Sequence, residues 1–290
     1  MAAGTVRTVD YRLLEALAGE DPSLAALAMP LALVFREAGT SGWHIGLSTV
    51  EAWPDDGAPF LSRGTIRVDL AVAQDCLLAL TAEAVSAGAL GLDCLPRAVE
   101  SRHLPVLGLL EAGINQGEGV VEALATAAAL PAAPLTSIAH LFALPPLLQA
   151  ASLAAERVAR GPWQAGYCPV CAGWPSLAEV RGVERERWLH CGRCGTNWRY
   201  PHQVCVYCGS ADHRRQGYVS VDGQAESRRA ETCDDCGGYL KAISANIPLS
   251  PVESAVTDLQ TLDLDLVALG RGHARPRAPG YQLNLRVVPL

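Results

Sequence analysis

Lysine is almost missing from this chain: of 23 basic residues only Lys241 is a lysine, and the rest are arginine. Basic charge as a whole is short as well. Acidic residues number 30, which leaves a formal net charge of −7. Nothing global therefore draws the molecule to nucleic acid or to an anionic membrane surface. Charged residues make up only 18% of the sequence and apolar ones 50%, a balance that excludes a disordered chain. The opening MAAGTVRTVDYR has no apolar core, so a secretory signal is not expected. A long apolar run is lacking on the same reading. The uncharged stretch 123–155 is interrupted by Pro131, Pro134, Pro145 and Pro146, and by Thr136, Ser137, His140 and Gln149. Those breaks leave no apolar segment of about 18 residues, and buried helices rather than a membrane span are predicted. Also absent are a nucleophile–base pair, a phosphate loop and a cofactor fingerprint, so no enzyme active site is expected.

What is present divides near Gly161-Pro162. Residues 1–162 are rich in Ala and Leu and read as a helical domain. Helices are predicted over 9–18, 24–35, 66–87, 96–111, 119–130 and 146–160, with a Gly/Pro/Asp loop over 39–64. Beyond the boundary come aromatics, arginines and CxxC pairs. Short alternating runs at 177–180, 187–190 and 217–221 suit small strands. Ser250-Pro251-Val252-Glu253 combines a cap, a first-turn proline and a capping box. A helix from Pro251 to about Leu269 should follow, ending at Gly270. The tail from Arg271, with its prolines, reads as irregular.

Eight of the ten cysteines form four CxxC pairs. Cys168 and Cys171 are followed after nineteen residues by Cys191 and Cys194; Cys205 and Cys208 are followed after twenty-four by Cys233 and Cys236. The first set has the spacing of a four-cysteine zinc site, and the longer loop of the second costs little. Two residues between cysteines let one tight turn aim both sulfurs at one ion, with backbone N–H groups donating to the sulfurs. A residue tolerant of positive φ is favoured just after the second cysteine. Gly195, Gly209 and Gly237 occupy that position in three pairs, and Ala172 departs from it. Two such turns make a closed S4 site for iron or zinc, so the expected cofactors are two metal ions. A thioredoxin-type dithiol would need a βαβ setting that is not found here.

Other residues take plainer readings. His190 and His202 flank the sets, but eight cysteines already fill two sites. Trp174, Trp188, Trp198, Tyr200 and Tyr207 could stack on bases; as the core of a small metal domain they are better explained. The arginines of this region alternate with Glu179, Glu184, Glu186 and Asp212, which describes a solvated surface rather than a phosphate-binding stripe. Cys76 and Cys94 read as buried small hydrophobes.

At the runs YCPVCAGWP, WLHCGRCGTNWRY, VCVYCGS and ETCDDCGGYLK the sequence resembles the formate dehydrogenase accessory proteins, the FdhE family. Upstream, FALPPLLQAAS is similar to the family's helix before the first cysteine. The likeness is close over about 141–270 and loose before that. It implies a non-enzymatic cytoplasmic protein required for active formate dehydrogenase, a partner catalytic subunit, and rubredoxin-like sites on the eight cysteines named above. The expected fold is α+β. It comprises a helical domain (1–162), two β-rich C4 metal modules (163–202 and 203–246) that each close locally, and a C-terminal helix and tail (247–290). Partner contacts are expected in loops 195–202 and 234–239, with Asp234 and Asp235 foremost. A zinc-ribbon nucleic-acid binder and a rubredoxin-like electron carrier are the competing readings. The residues leave iron against zinc open, and a homodimer too.

Overall fold

In the computed structural model, residues 10–40, 43–44, 57–160, 163–221, 225 and 227–290 are described. The first elements are α1 (Arg12–Glu20), α2 (Ala25–Ala38), β1 (Trp43–His44), β2 (Thr65–Val68) and α3 (Leu70–Ser86). Next come α4 (Leu95–Glu100), α5 (Val106–Asn115), α6 (Glu118–Ala127) and α7 (Ala132–Arg160). The strands β3 (Pro175–Arg181), β4 (Glu186–Cys191), β5 (Asn197–Arg199), β6 (Gln216–Val219), β7 (Arg228–Cys233) and β8 (Gly238–Ala245) follow. The chain closes with α8 (Pro251–Gln260), α9 (Leu262–Gly270) and β9 (Arg286–Pro289). Two units emerge. One holds Met1–Ala52, Phe60–Leu153 and Gln282–Leu290; the other holds Trp53–Pro59 and Ala154–Tyr281. Most of the loop predicted over 39–64, and the junction at 161–162, lie outside the described residues.

The first unit is mainly helical, with corrections to the expected elements. The helix predicted from residue 66 begins at Leu70, because Thr65–Val68 forms a strand burying Ile66 and Val68. Alternating β-branched residues favour that pleat. The Asp69 carboxylate then accepts hydrogen bonds from the Ala71 and Val72 N–H groups and starts α3. The helix expected over 96–111 is two, α4 and α5, separated around Arg102, whose φ is +60°, and Pro105. α7 runs unbroken through Pro145 and Pro146, against the expectation that they interrupt it. Its residues Leu135, Ile138, Ala139, Phe142, Leu147, Ala150 and Ala154 are buried at helical spacing. That continuous core stripe outweighs the hydrogen bonds the prolines remove. Over 132–159 this helix is long and apolar enough to cross a membrane, and 56% of its most apolar window is buried in the protein, as in a core helix. The tail is not irregular to its end. β9 pairs in parallel with β2, and β1 lies on the other side of β2. The Val287 N–H donates to Glu111 at 2.8 Å, and Asn115 bonds Leu285 at both its N–H and its C=O.

The second unit carries the cysteines on one six-stranded sheet, ordered β5-β4-β3-β8-β7-β6. The two expected β-rich modules are present, each gathering its own four cysteines, and β3 and β8 pair in parallel from Leu177↔Lys241 to Arg181↔Ala245, joining the two hairpin sets into one sheet. All other neighbours are antiparallel. The capping box at Ser250 forms as expected: its hydroxyl accepts from the Glu253 N–H, and the Glu253 carboxylate accepts from the Ser250 N–H. The single helix predicted over 251–269 is two, broken at Thr261. Leu264 and Ala268 of α9 pack on Val219, Ala230 and Tyr239 of the sheet.

Candidate metal centres

Each CxxC pair lies at the end of a strand or in the loop leading to one, and three of the four turns repeat one hydrogen-bond pattern. The N–H groups of Ala172, Gly195 and Gly209 donate to the carbonyls of Cys168, Cys191 and Cys205 at 3.0–3.1 Å. The N–H groups of those same cysteines donate to the carbonyls of Gly173, Thr196 and Ser210 at 2.8–2.9 Å. The fourth turn joins β7 to β8, pairing Cys233 with Gly238. All four residues that follow a second cysteine have positive φ: +62° at Ala172, +70° at Gly195, +73° at Gly209 and +66° at Gly237. The alanine thus adopts the conformation that glycine takes elsewhere. Backbone donation to sulfur is also present, from Val170 to Cys168 and from Arg193 to Cys191 at 3.4 Å.

The turns bring together Cys168, Cys171, Cys191 and Cys194 in one group, and Cys205, Cys208, Cys233 and Cys236 in a second. Within each group the sulfurs lie within 4.8 Å of one another. Tetrahedral coordination at a metal–sulfur distance of about 2.3 Å requires sulfurs about 3.8 Å apart. In the second group Cys205–Cys236 and Cys208–Cys233 stand at 3.7 and 3.8 Å. In the first, Cys168–Cys194 and Cys171–Cys191 are slightly closer, both 3.4 Å. Both groups can hold a metal ion, and an all-sulfur set suits iron or zinc. Electrostatics point the same way. Burial pushes the Cys168 and Cys194 thiols up, whereas hydrogen bonds from the other three cysteines hold Cys171 low. Four sulfurs this close in a dry site become thiolates together only around a cation.

Their surroundings differ. All four sulfurs of the first group are buried, whereas Cys208 and Cys236 of the second are exposed. An aromatic chain lies beside both groups: Tyr167 on Trp174 at 6.1 Å between ring centroids, then Trp174 on Tyr207 at 5.2 Å. Gly166 approaches so closely that a Cβ there would lie 1.8 Å from the Val206 carbonyl oxygen. Trp198 and Tyr200 are buried, and Arg181 stacks 4.4 Å above Trp188. These aromatics form packing, as expected for a small metal domain. Arg181, Arg187, Arg199, Arg214, Arg215, Arg228 and Arg229 each face a carboxylate.

Two buried polar clusters were not anticipated. His190 lies in the core, with Nε2 2.6 Å from Glu179, which also accepts from Arg181 at 2.7 Å. Burial alone would raise the Glu179 carboxyl; the hydrogen bonds from His190 and Arg181 outweigh it and hold the pKa at about 2. Lys241 is fully buried and donates to the Asp258 carbonyl and the Asp265 carboxylate, both at 2.7 Å. Arg275 and the Tyr239 hydroxyl reach the same Asp265. The alternation of these strands marks them as half-buried without showing what covers them. His202 is exposed, with its ring against the Arg185 carbonyl. Cys76 is buried as expected; Cys94 is exposed, contrary to expectation, at the start of α4. Asp235 accepts from the Ser210 hydroxyl at 2.5 Å and from Arg215 at 2.9 Å, so of the two acidic residues in this turn it is internally engaged.

Residues 204–280 match the family model "FdhE, C-terminal domain". Proteins FdhE of Escherichia coli O157:H7 and of Shigella boydii serotype 18 are each 36% identical over 115 residues, 39% of this chain. That match spans 36% of the length of these curated relatives. The crystal structure of the FdhE protein from Pseudomonas aeruginosa has the same fold, with a TM-score of 0.58 over 94% of both chains at 21% identity. The family model, the curated relatives and the shared fold point the same way: residues 204–280 match the C-terminal domain of FdhE, and the chain is similar to FdhE proteins over 115 residues.

Proposed function

We propose that this chain is an accessory factor for formate dehydrogenase, acting without catalysis of its own in the cytoplasm, and binding that enzyme's catalytic subunit during maturation. Cys168, Cys171, Cys191 and Cys194 would ligate one iron or zinc ion, and Cys205, Cys208, Cys233 and Cys236 another. The observation that carries the reading is the pair of convergent four-sulfur groups in a chain whose residues 204–280 match the FdhE C-terminal domain. A C4 site is coordinatively closed and offers no position for substrate or activated water. Its use is then mechanical: it holds turns and loops in a fixed shape for a partner. The carboxylate partners of the arginines near the cysteines favour a protein partner over nucleic acid, whose binding would need unpaired cations.

In cells that express the dehydrogenase, removal of the gene should abolish formate dehydrogenase activity, and the tagged chain should retain the catalytic subunit. Unchanged activity in the deletion strain refutes the role. Asp234 remains the leading contact residue of the fourth turn, being exposed and adjacent to the engaged Asp235. Asp234→Ala, which leaves the Asp235 bonds to Ser210 and Arg215 in place, is expected to weaken retention about tenfold with both metals still bound. Undiminished retention in that metal-loaded variant moves the interface elsewhere.

A further inference from the structure

We propose that the two sites are unequal in exchange: the group at Cys205, Cys208, Cys233 and Cys236 takes up and surrenders its metal, while the group at Cys168, Cys171, Cys191 and Cys194 keeps it. The inference rests on the metal-binding reading above and adds a division of labour to it.

Access is the first ground. In the first group every sulfur is buried, with Cys168 and Cys171 wholly inaccessible and Cys191 and Cys194 exposed by no more than 3%. A chelator or competing thiol has no line of approach unless the sheet opens. In the second group each close sulfur pair joins one buried cysteine to one exposed one: Cys205 to Cys236, and Cys233 to Cys208. Half of its ligand set is therefore open to solvent from outside the fold.

Local charge is the second ground. The turn Cys191-Gly192-Arg193-Cys194 places a cation beside the first group. The turn Cys233-Asp234-Asp235-Cys236 places two exposed carboxylates at the second. Asp235 is taken up by Ser210 and Arg215, and the Asp234 carboxylate attracts an arriving cation and offers it an interim oxygen ligand.

Construction is the third. The turn of Cys191 and Cys194 joins β4 to β5, and that of Cys233 and Cys236 joins β7 to β8, so strand order gives the groups comparable places. The second differs in being closed by a polar strap. Ser210, two residues after Cys208, bonds the Asp235 carboxylate in the opposite turn. Arg215 clamps the same carboxylate and the Asp234 carbonyl, while the Asp234 N–H donates to the Arg215 carbonyl. This strap consists of solvent-exposed bonds, the class that opens most readily. On release the cation passes to the chelator and the freed thiolates take protons from solvent, so no redox partner is needed.

The test uses the full-length chain loaded with cobalt(II), whose sulfur charge-transfer absorption counts filled sites, and then mixed with excess EDTA and iodoacetamide. One equivalent should leave at least about tenfold faster than the other. Peptide mass mapping at the end of the fast phase should find alkylation at Cys205, Cys208, Cys233 and Cys236, with the first group protected. Arg215→Ala should quicken the fast phase by about tenfold and leave the slow phase alone. Release of both equivalents in one phase, or alkylation of the first group before the second, overturns the proposal. An unchanged fast phase in Arg215→Ala removes the strap from it. Failure to bind two equivalents at the outset refutes instead the metal-binding reading beneath it.

Discussion

Ala172 shows how much of this fold is set residue by residue. It stands where the other three turns have glycine, is wholly buried, and takes φ +62°. A left-handed alanine costs about 1 kcal/mol. Glycine would relieve that strain but would free the unfolded chain by about 0.4–1 kcal/mol. The two effects nearly cancel, so Ala172→Gly should change stability by less than about 1 kcal/mol. Ala172→Val is different, because a β-branched residue combines positive-φ strain with overpacking, and a loss of about 3 kcal/mol is expected. Urea melts of the metal-loaded proteins measure both. Equal stability of the Val variant and the parent would show that the turn relaxes out of the left-handed region.

Between elements, the contact that most needs explaining is the seating of α8 and α9 on the sheet. Part of it is apolar: Val252 and Leu259 of α8 are buried, and Leu264 and Ala268 of α9 pack on Val219, Ala230 and Tyr239. Much of the remainder is ionic, with Lys241 as a buried post bonded to Asp258 and Asp265. A fully buried ammonium is tolerated only while its partners stay in place. Lys241→Met keeps the aliphatic bulk but leaves Asp258 and Asp265 facing each other, with Arg275 the cation that remains near both. Loss of a partner from a buried pair costs about 3 kcal/mol. The expected result is that much destabilisation in urea, with earlier hydrogen exchange in 251–270 than in the sheet. A variant within about 0.5 kcal/mol of the parent would show the helices to be held by packing alone.

For the molecule as a whole, the decisive feature is the parallel pairing of β3 with β8. Were the two cysteine groups independent modules, Cys191→Ser would unfold the first and spare the second. With one sheet running through both, loss of the buried group should spread to the second, whereas metal leaving the exposed group opens only its surface strap and leaves the buried one filled. A structural C4 site contributes on the order of 10 kcal/mol to the folding of a small domain. The expectation is that Cys191→Ser abolishes metal binding at both groups and removes the sheet signal in one step. Helical content from the unit that contains α1–α6 should survive it. Retention of one full equivalent of metal at the second group would restore the picture of separate modules.

The sequence by itself determined what depends on neighbours along the chain. CxxC spacing dictates a tight turn, glycine beyond it accepts positive φ, and Ser250-Pro251-Val252-Glu253 dictates a helix start; each works through bonds spanning five residues or fewer. Hence the eight sulfurs and the start of α8 were legible, and the structure brings the sulfurs together in the expected two sets. Tertiary structure decided what depends on residues far apart. β9 reaches β2 across more than two hundred residues, and β3 reaches β8 across about sixty. Parallel pairs have no hairpin turn to announce them. Pro145 and Pro146 mark a break by local rules, yet the buried stripe of α7 overrides them. Glu179, His190 and Lys241 look like surface residues until the elements that cover them are in place. The same reasoning separates the two cysteine groups. Their CxxC patterns are nearly identical in sequence, and only the assembled sheet buries one group and leaves half of the other in solvent, because burial is a property of what packs on top.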